Sequence, residues 1–240
     1  MSIQYETPVG EVASTLPASV RVLERYGIDY CCGGSKPLGA ACQEKGVPLD
    51  QFLADVETAK QSAGVSRARD WNAASASELI AHILEKHHAY LRTELPRLTQ
   101  LLEKVVTAHG ATHGESLLPL RDVYAGLRGE LEQHMWKEEN ILFPFVQQIE
   151  RVKVSGGAGQ FRGMSVHNPI RVMEQEHESA GNALREMRRL TAEYTVPAGG
   201  CATYRALFEG FQTLEADLHE HIHLENNILF PKAVALEESH

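Results

Sequence analysis

The sequence has no long apolar run, no cluster of basic residues and few cysteines. A membrane-spanning helix needs a run of about 18 or more apolar residues, which is absent, and the N-terminal segment MSIQYETPVGEV lacks the basic and apolar regions of a secretory signal. The net charge is −9 and no Lys/Arg-rich segment occurs, so the electrostatic footprint of a nucleic-acid-binding protein is missing. These absences predict a soluble cytoplasmic protein with no nucleic-acid or membrane partner.

The four cysteines are too few for a disulfide framework in a chain of 240 residues. Cys31 and Cys32 are adjacent, which places their Cα atoms about 3.8 Å apart across a trans peptide. Relaxed disulfides need roughly 4.4–6.8 Å between Cα atoms. We therefore interpret this pair as thiols or ligands, whereas Cys42 and Cys201 are predicted to be packed thiols.

Sustained alternation of apolar and polar residues is also missing, so essentially no sheet is predicted. Four long segments have helical periodicity instead: 76–107, 116–149, 167–194 and 201–236. Their modest connections, among them AHGATHGES, favour an antiparallel four-helix bundle. The predicted organisation is all-α: a small helical domain over 1–60, a linker over 61–75 and the bundle over 76–240.

One phrase occurs twice. HMWKEENILFP spans residues 134–144, and HIHLENNILFP spans residues 221–231. Read at alternating steps of four and three, each phrase places a histidine and a glutamate on the apolar stripe of its helix. The second segment gives the stripe Leu127, Leu131, His134, Glu138, Ile141 and Phe145, and the fourth segment gives Leu214, Leu218, His221, Glu225 and Ile228. The other two segments each add one histidine to a buried stripe, namely His88 after Leu84, and His177.

A metal pair is the interpretation that accounts for these six polar residues together. A single histidine on an apolar stripe is more often a hydrogen-bonded core residue, but that explanation must here cover four histidines and two glutamates in a repeated pattern. A buried carboxylate must be neutralised, paired or bound to metal. No lysine or arginine shares the stripes. Imidazole and carboxylate without thiolate suit iron, manganese or zinc, and two carboxylates suit the bridging of two ions.

The set resembles the hemerythrin-like di-iron bundle. It consists of His88, His134, Glu138, His177, His221 and Glu225, with ILFP after each glutamate. RYGIDYCCGG, at residues 25–34, is similar to the cysteine-bearing domain that precedes this bundle in the iron-sulfur cluster repair di-iron proteins, also called the repair of iron centres family. The resemblance implies two iron ions bridged by oxo and by the two glutamates, with the six residues as ligands. Four rather than five histidines, compared with oxygen-carrying hemerythrin, suggest a more open or labile iron site.

The same resemblance implies a homodimeric stress protein that repairs iron-sulfur clusters damaged by nitric oxide or oxidants, with iron-sulfur proteins as clients and iron donation as the means. One alternative is a protein that binds NO or O2 without giving up iron. Another is an enzyme that reduces NO or peroxide at the two irons. The cysteine domain favours repair, because gas binding alone does not require it.

Several residues keep two interpretations. Cys31 and Cys32 form either a simple turn or a thiol pair that handles iron or redox equivalents. Glu130 and Glu176 either support the ligands by hydrogen bonds or are solvated acids. Pro144 and Pro231 predict a kink or a helix end after each glutamate. The remaining histidines are expected mostly at the surface: His82, His87, His109, His113, His167, His219, His223 and His240.

Overall fold

The computed structural model describes residues 3–62, 69–155 and 165–239, so the middle of the predicted linker lies outside the described residues. These residues contain helices and no β-strand, with one isolated bridge joining Pro8 to Pro37. The predicted all-α class is confirmed. In these parts of the chain no helix combines the length and apolarity that crossing a membrane requires. The chain divides into two compact units, one of Met1–Leu79 with His219–His240 and one of Ile80–Leu218.

The first unit begins with four short helices. They are α1 (Val9–Thr15), α2 (Val20–Arg25), α3 (Leu38–Glu44) and α4 (Leu49–Ser62). Pro8 and Pro37 stand just before α1 and α3, where a fixed φ and a missing N–H are tolerated. Fully buried side chains such as Leu23 and Phe52 form the core of this part. The small helical N-terminal domain therefore has an apolar core of its own.

The second unit contains most of the long helices. After α5 (Ala76–His82) come α6 (Ala89–Lys137), α7 (Phe143–Val154), α8 (His167–Leu190) and α9 (Ala202–Leu224), and α10 (Phe230–Glu238) completes the chain in the first unit. The boundary between the units falls within α9. The core consists of apolar residues from α6, α8 and α9, with Tyr124, Leu184 and Phe211 among them.

Helix α6 is a hairpin, which corrects the predicted loop AHGATHGES. Its residues are helical throughout except His113, whose φ of −128° and ψ of 20° interrupt the helix. Tyr124 Oη donates to the carbonyl of Leu95 over 2.8 Å. Residues 29 apart would lie about 43 Å apart in a straight helix. The chain therefore reverses near His113, and its two arms pack antiparallel.

Three π-helical segments interrupt the helices: Ile83–His88, Glu138–Leu142 and Glu225–Leu229. In each, the residue after the segment donates its N–H to a carbonyl five positions back; Phe143 bonds to Glu138, and Phe230 to Glu225. Pro144 and Pro231 follow one residue later and cannot donate. The prolines therefore neither end the helix nor simply kink it; a wide turn precedes each of them, a feature frequent at functional sites.

In two of these segments the extra residue of the π turn shifts the buried stripe by one position, whereas Ile228 in the third segment is buried as predicted. Ile141, predicted in the core, is 50% exposed, and Leu142 is buried in its place. In the first segment Ile83 is fully buried whereas the predicted Leu84 is only half-buried. The predicted positions of the histidines and glutamates are unaffected, because each wide turn begins or ends at one of them.

Candidate metal centre

His134 and His177 direct ring nitrogens at one another in the second unit. Their Nε2 atoms are 3.2 Å apart, and both side chains are buried. The other ring nitrogen of His134, Nδ1, lies 3.0 Å from the Glu176 carboxylate, which Lys137 also contacts. The His134 hydrogen bond outweighs burial and, with Lys137, lowers the pKa of Glu176 to about 2. An ionised Glu176 keeps the proton on Nδ1, so Nε2 of a neutral His134 presents a lone pair.

His88 is arranged in the same way. Its Nδ1 lies 2.7 Å from the carboxylate of Glu139, which Arg92 also binds. Burial alone would raise the pKa of Glu139, but the hydrogen bonds from His88 and Arg92 lower it. The Nε2 atom of His88 then faces Glu138 Oε2 at 3.3 Å. Carboxylates that bind the outer nitrogen of an imidazole are the usual partners of metal-ligating histidines.

Glu138 is the least satisfied group among the described residues. Its side chain is fully buried, and neither carboxylate oxygen has a hydrogen-bond partner in the described structure. The Nε2 atoms of His88 and His134 both lie 3.3 Å from Oε2. If the outer nitrogens of these imidazoles carry the ring protons, their Nε2 lone pairs face the carboxylate, and a cation among them would stabilise this arrangement. The donor set therefore fits a metal ion, and its nitrogen and oxygen donors match iron, manganese or zinc.

His221 and Glu225 form the equivalent pair at the end of α9. Both are buried, and His221 Nε2 lies 3.1 Å from Glu225 Oε1. In the second unit, the donor atoms of His134, Glu138 and His177 lie within 4.8 Å of one another, and so do those of His88 and Glu138. Glu138 is thus close to all three histidines of that unit. A carboxylate shared by several imidazoles is suited to bridging two ions.

The comparisons with known proteins bear on the same residues. The hemerythrin HHE cation binding domain family matches residues 79–233, and the ScdA_N family, described as a domain of unknown function, matches residues 5–60. The iron-sulfur cluster repair protein YtfE of Pectobacterium carotovorum is 38% identical over 228 residues, covering 94% of this chain and 96% of the relative. The chain belongs to the iron-sulfur cluster repair family.

Other relatives in the iron-sulfur cluster repair family match this chain with similar identity and coverage. YtfE of Escherichia coli O81 is 38% identical and covers 97% of this chain and 98% of its own length. A probable iron-sulfur cluster repair protein of Haemophilus influenzae is 37% identical, and the match covers 94% of this chain and 96% of that protein. The predicted family and hemerythrin-like bundle are thus confirmed, and the HHE family description supports cation binding.

The second phrase of this family member differs from the first in where its polar residues point. Asn226 replaces Glu139 at the position after the glutamate, and its Nδ2 donates to the Cys31 carbonyl over 3.2 Å. Asn227 donates to the carbonyl of Tyr30 over 3.0 Å. Both contacts lie within the first unit. The segment after Glu225 therefore holds the cysteine-bearing loop, whereas the segment after Glu138 holds His88.

Some predicted roles need correction. Glu130 is exposed and accepts a hydrogen bond from Ser179 over 2.8 Å, which favours the interpretation of this residue as a solvated acid. His87 is fully buried rather than at the surface, and its Nδ1 lies 3.0 Å from Asp217. His223 is buried as well, and burial lowers its pKa to about 4.

The two isolated cysteines behave differently. Cys42 is buried in the N-terminal core, as predicted, but Cys201 is exposed rather than packed. Its Sγ lies 3.3 Å from Nε2 of His109, and this contact, together with N–H groups at the start of α9, lowers the pKa of the thiol to about 7. The sequence carries no local signal for this pairing, because 92 residues separate the two partners.

Replacing Glu176 by glutamine should weaken metal binding without unfolding the protein. The amide can still contact His134, but it carries no charge to fix the proton on Nδ1. Loss of such supporting carboxylates typically costs 10–100-fold in metal affinity, so we expect a loss of roughly that size. Competition with a chelator of known affinity measures it. Glu130→Gln, which alters a carboxylate bound only to Ser179 in the described contacts, is the matched control; equal losses in both variants would contradict the assignment.

Proposed function

We propose that His88, His134, Glu138, His177, His221 and Glu225 bind two iron ions, with Glu138 and Glu225 bridging them, and that the protein uses this centre to repair damaged iron-sulfur clusters. The observation that carries the metal assignment is the buried Glu138 carboxylate facing two imidazole nitrogens at 3.3 Å. The repair assignment is supported by relatives named iron-sulfur cluster repair proteins that match nearly the whole chain.

The residues around the centre have separable tasks in this proposal. Glu176 and Glu139 orient His134 and His88 and hold their outer ring protons. Burial of Glu138 and Glu225 keeps water from the bridging carboxylates. The bound irons would supply exchangeable metal and positions for small ligands. Four neutral imidazoles across two ions leave each ion with few protein donors, which favours release of iron to a client.

The resemblance to the family supports further details of the same proposal. Iron-sulfur proteins damaged by nitric oxide or oxidants are the clients, NO and O2 are small ligands of the irons, and the protein is a cytoplasmic homodimer. Donation of iron distinguishes this function from gas binding. A protein that only binds gas would take up NO stoichiometrically and keep its iron. A reductase would consume NO or peroxide over many turnovers with an electron donor.

The function is tested by repair of a purified iron-sulfur enzyme whose cluster has been damaged by nitric oxide. Protein loaded with ⁵⁷Fe should restore client activity and transfer the label into the client, whereas metal-free protein should do neither. Restored activity with no label in the client would contradict donation. NO binding with complete retention of the label would favour the gas-binding alternative.

The cysteine pair gives a second arm to this assay. Cys31→Ser combined with Cys32→Ser should retain the iron of the six-residue centre, because neither thiol belongs to it, but should lose transfer to the client. The two thiols lie beside the segment that follows Glu225, as the Asn226 contact shows. Cys201→Ser, which removes a thiol in the other unit, is the matched control and should repair normally. Unchanged repair by the double variant would eliminate a role for the pair.

A further inference from the structure

Three donors in the N-terminal domain gather outside the six-residue centre. The carboxylate of Asp29 and the thiols of Cys31 and Cys32 lie within 4.8 Å of one another. We propose that these three residues form a second metal site, which binds one thiophilic divalent ion such as Zn²⁺ or Fe²⁺. This inference does not rest on the proposed function, since it concerns a different donor set with a different preference for metals.

The spacing of the sulfur atoms suits a shared ion. Their separation is 3.9 Å. Two thiolates bound tetrahedrally to zinc at about 2.3 Å each lie roughly 3.8 Å apart, so an ion fits between them with little rearrangement. A disulfide would require the sulfurs to approach to about 2.05 Å and would strain adjacent residues. The geometry therefore favours binding of one metal ion by both thiols over formation of a disulfide between Cys31 and Cys32.

The loop that carries the thiols is held in shape before any ion binds. Asp29 Oδ1 accepts the N–H groups of Cys31 and Cys32 over 3.1 and 2.9 Å, and the Cys31 thiol lies 3.3 Å from the same oxygen. A turn stabilised by an aspartate explains the two N–H contacts. It does not explain why the two residues that follow both carry thiols within 4.8 Å of that carboxylate. A metal site accounts for the carboxylate and for both thiols.

The glycines of CCGG lie in close packing around this loop. A Cβ on Gly33 would lie 3.0 Å from the Asp29 carbonyl, and one on Gly34 would lie 2.5 Å from Asn227 Oδ1. A side chain at either position would therefore require its neighbour to shift. Asn226 holds the same loop through the Cys31 carbonyl. The donors are thus supported by neighbouring side chains, as a metal site requires.

The site is also accessible. Cys31 is 5% exposed, but Cys32 is half-buried and Asp29 is exposed, so an ion can enter from solvent. Binding converts the thiols to thiolates, and their protons pass to solvent as the metal–sulfur bonds form. Three protein donors leave one tetrahedral position for water or for a ligand from another protein. The chemistry is that of an exchange site rather than a closed structural site.

Cobalt(II) binding to the full-length protein tests this inference. Protein with its thiols reduced and its six-residue centre already loaded with iron receives one equivalent of Co²⁺, and the sulfur-to-cobalt charge-transfer absorption is recorded as a difference spectrum together with the reactivity of each cysteine toward iodoacetamide. We expect a charge-transfer band, with protection of Cys31 and Cys32 but not of Cys201. Cys32→Ser should lose the band, and Asp29→Asn should weaken cobalt binding while leaving a weaker band.

The test is independent of the six-residue centre, because that centre contains no sulfur. Glu138→Gln should therefore leave the charge-transfer band intact even if it abolishes the other site. Cys201→Ser should also leave it intact, whereas dependence of the band on Cys201 would assign the cobalt elsewhere. Cobalt bound without a charge-transfer band, or without protection of Cys31 and Cys32, would overturn the proposal. Circular dichroism of each variant separates loss of the site from loss of the fold.

Discussion

Glu138→Gln should abolish binding of both metal ions and at the same time stabilise the metal-free protein. Glu138 lies within 4.8 Å of His88, His134 and His177 and bridges both ions in the proposed centre, so its loss removes a donor from each ion. Glutamine has nearly the same shape but carries no charge and is a poor bridging ligand. In the absence of metal the wild-type carboxylate is fully buried without a hydrogen bond in the described structure, which is unfavourable. Removing that charge should raise the free energy of unfolding by roughly 1–3 kcal/mol.

Metal binding should fall while the free energy of unfolding of the metal-free protein rises, and these opposite changes distinguish a metal ligand from a structural residue. Metal content is measured by elemental analysis, and stability by urea unfolding of metal-free samples. Glu139→Gln is the matched control one residue away; it should keep both ions with roughly 10–100-fold weaker affinity, because Glu139 only supports His88. If Glu138→Gln retains its metal, or if the metal-free variant is destabilised like an ordinary core substitution, the assignment of Glu138 is wrong.

Removal of metal from the wild-type protein should lower its melting temperature strongly. An ion that binds only the folded state stabilises it by about 4 kcal/mol when its concentration is 1,000 times its dissociation constant. In a chain of this size each kcal/mol corresponds to roughly 2–4 °C, so loss of even one such ion should lower the melting temperature by roughly 8–16 °C. Calorimetry of metal-loaded and chelated samples at equal protein concentration measures the difference.

Metal restored after chelation should recover the original melting temperature. The Glu138→Gln variant supplies the control, because a protein that binds no metal at this centre should lose most of the effect of the chelator on its melting temperature. A chelator effect of the same size in the variant would place the stabilising metal elsewhere in the molecule, for instance at Asp29, Cys31 and Cys32. A wild-type protein insensitive to chelation would contradict metal binding by buried ligands.

The sequence predicts the helical class and all six candidate ligands because both depend on local periodicity. His177 and Glu225 lie on stripes whose neighbours are apolar, and the structure buries both. The π turns are not visible in this way, because an added residue shifts the stripe without changing its composition. Ile141 was therefore assigned to the core in place of Leu142. The break at His113 was likewise predicted as a loop, because its glycine-containing surroundings have the composition of one.

The partners of the ligands are harder to predict, because they depend on contacts between distant segments. Periodicity does not mark Glu139 although it directly follows Glu138, because its role depends on His88, 51 residues away. The burial of His87 depends on Asp217 in the same way, 130 residues away. A comparison of the repeated phrases does carry a signal, since Glu139 in the first corresponds to Asn226 in the second. The structure shows that the two residues serve different neighbours.

Iron analysis combined with the optical spectrum of the purified protein tests the central claim most directly. Two irons per chain, with absorption bands of an oxo-bridged ferric pair that disappear in Glu138→Gln, are the result expected from the proposed six-residue centre with its two bridging carboxylates. A single zinc per chain, or a metal-free protein with the same stability and no capacity to bind iron, would contradict it.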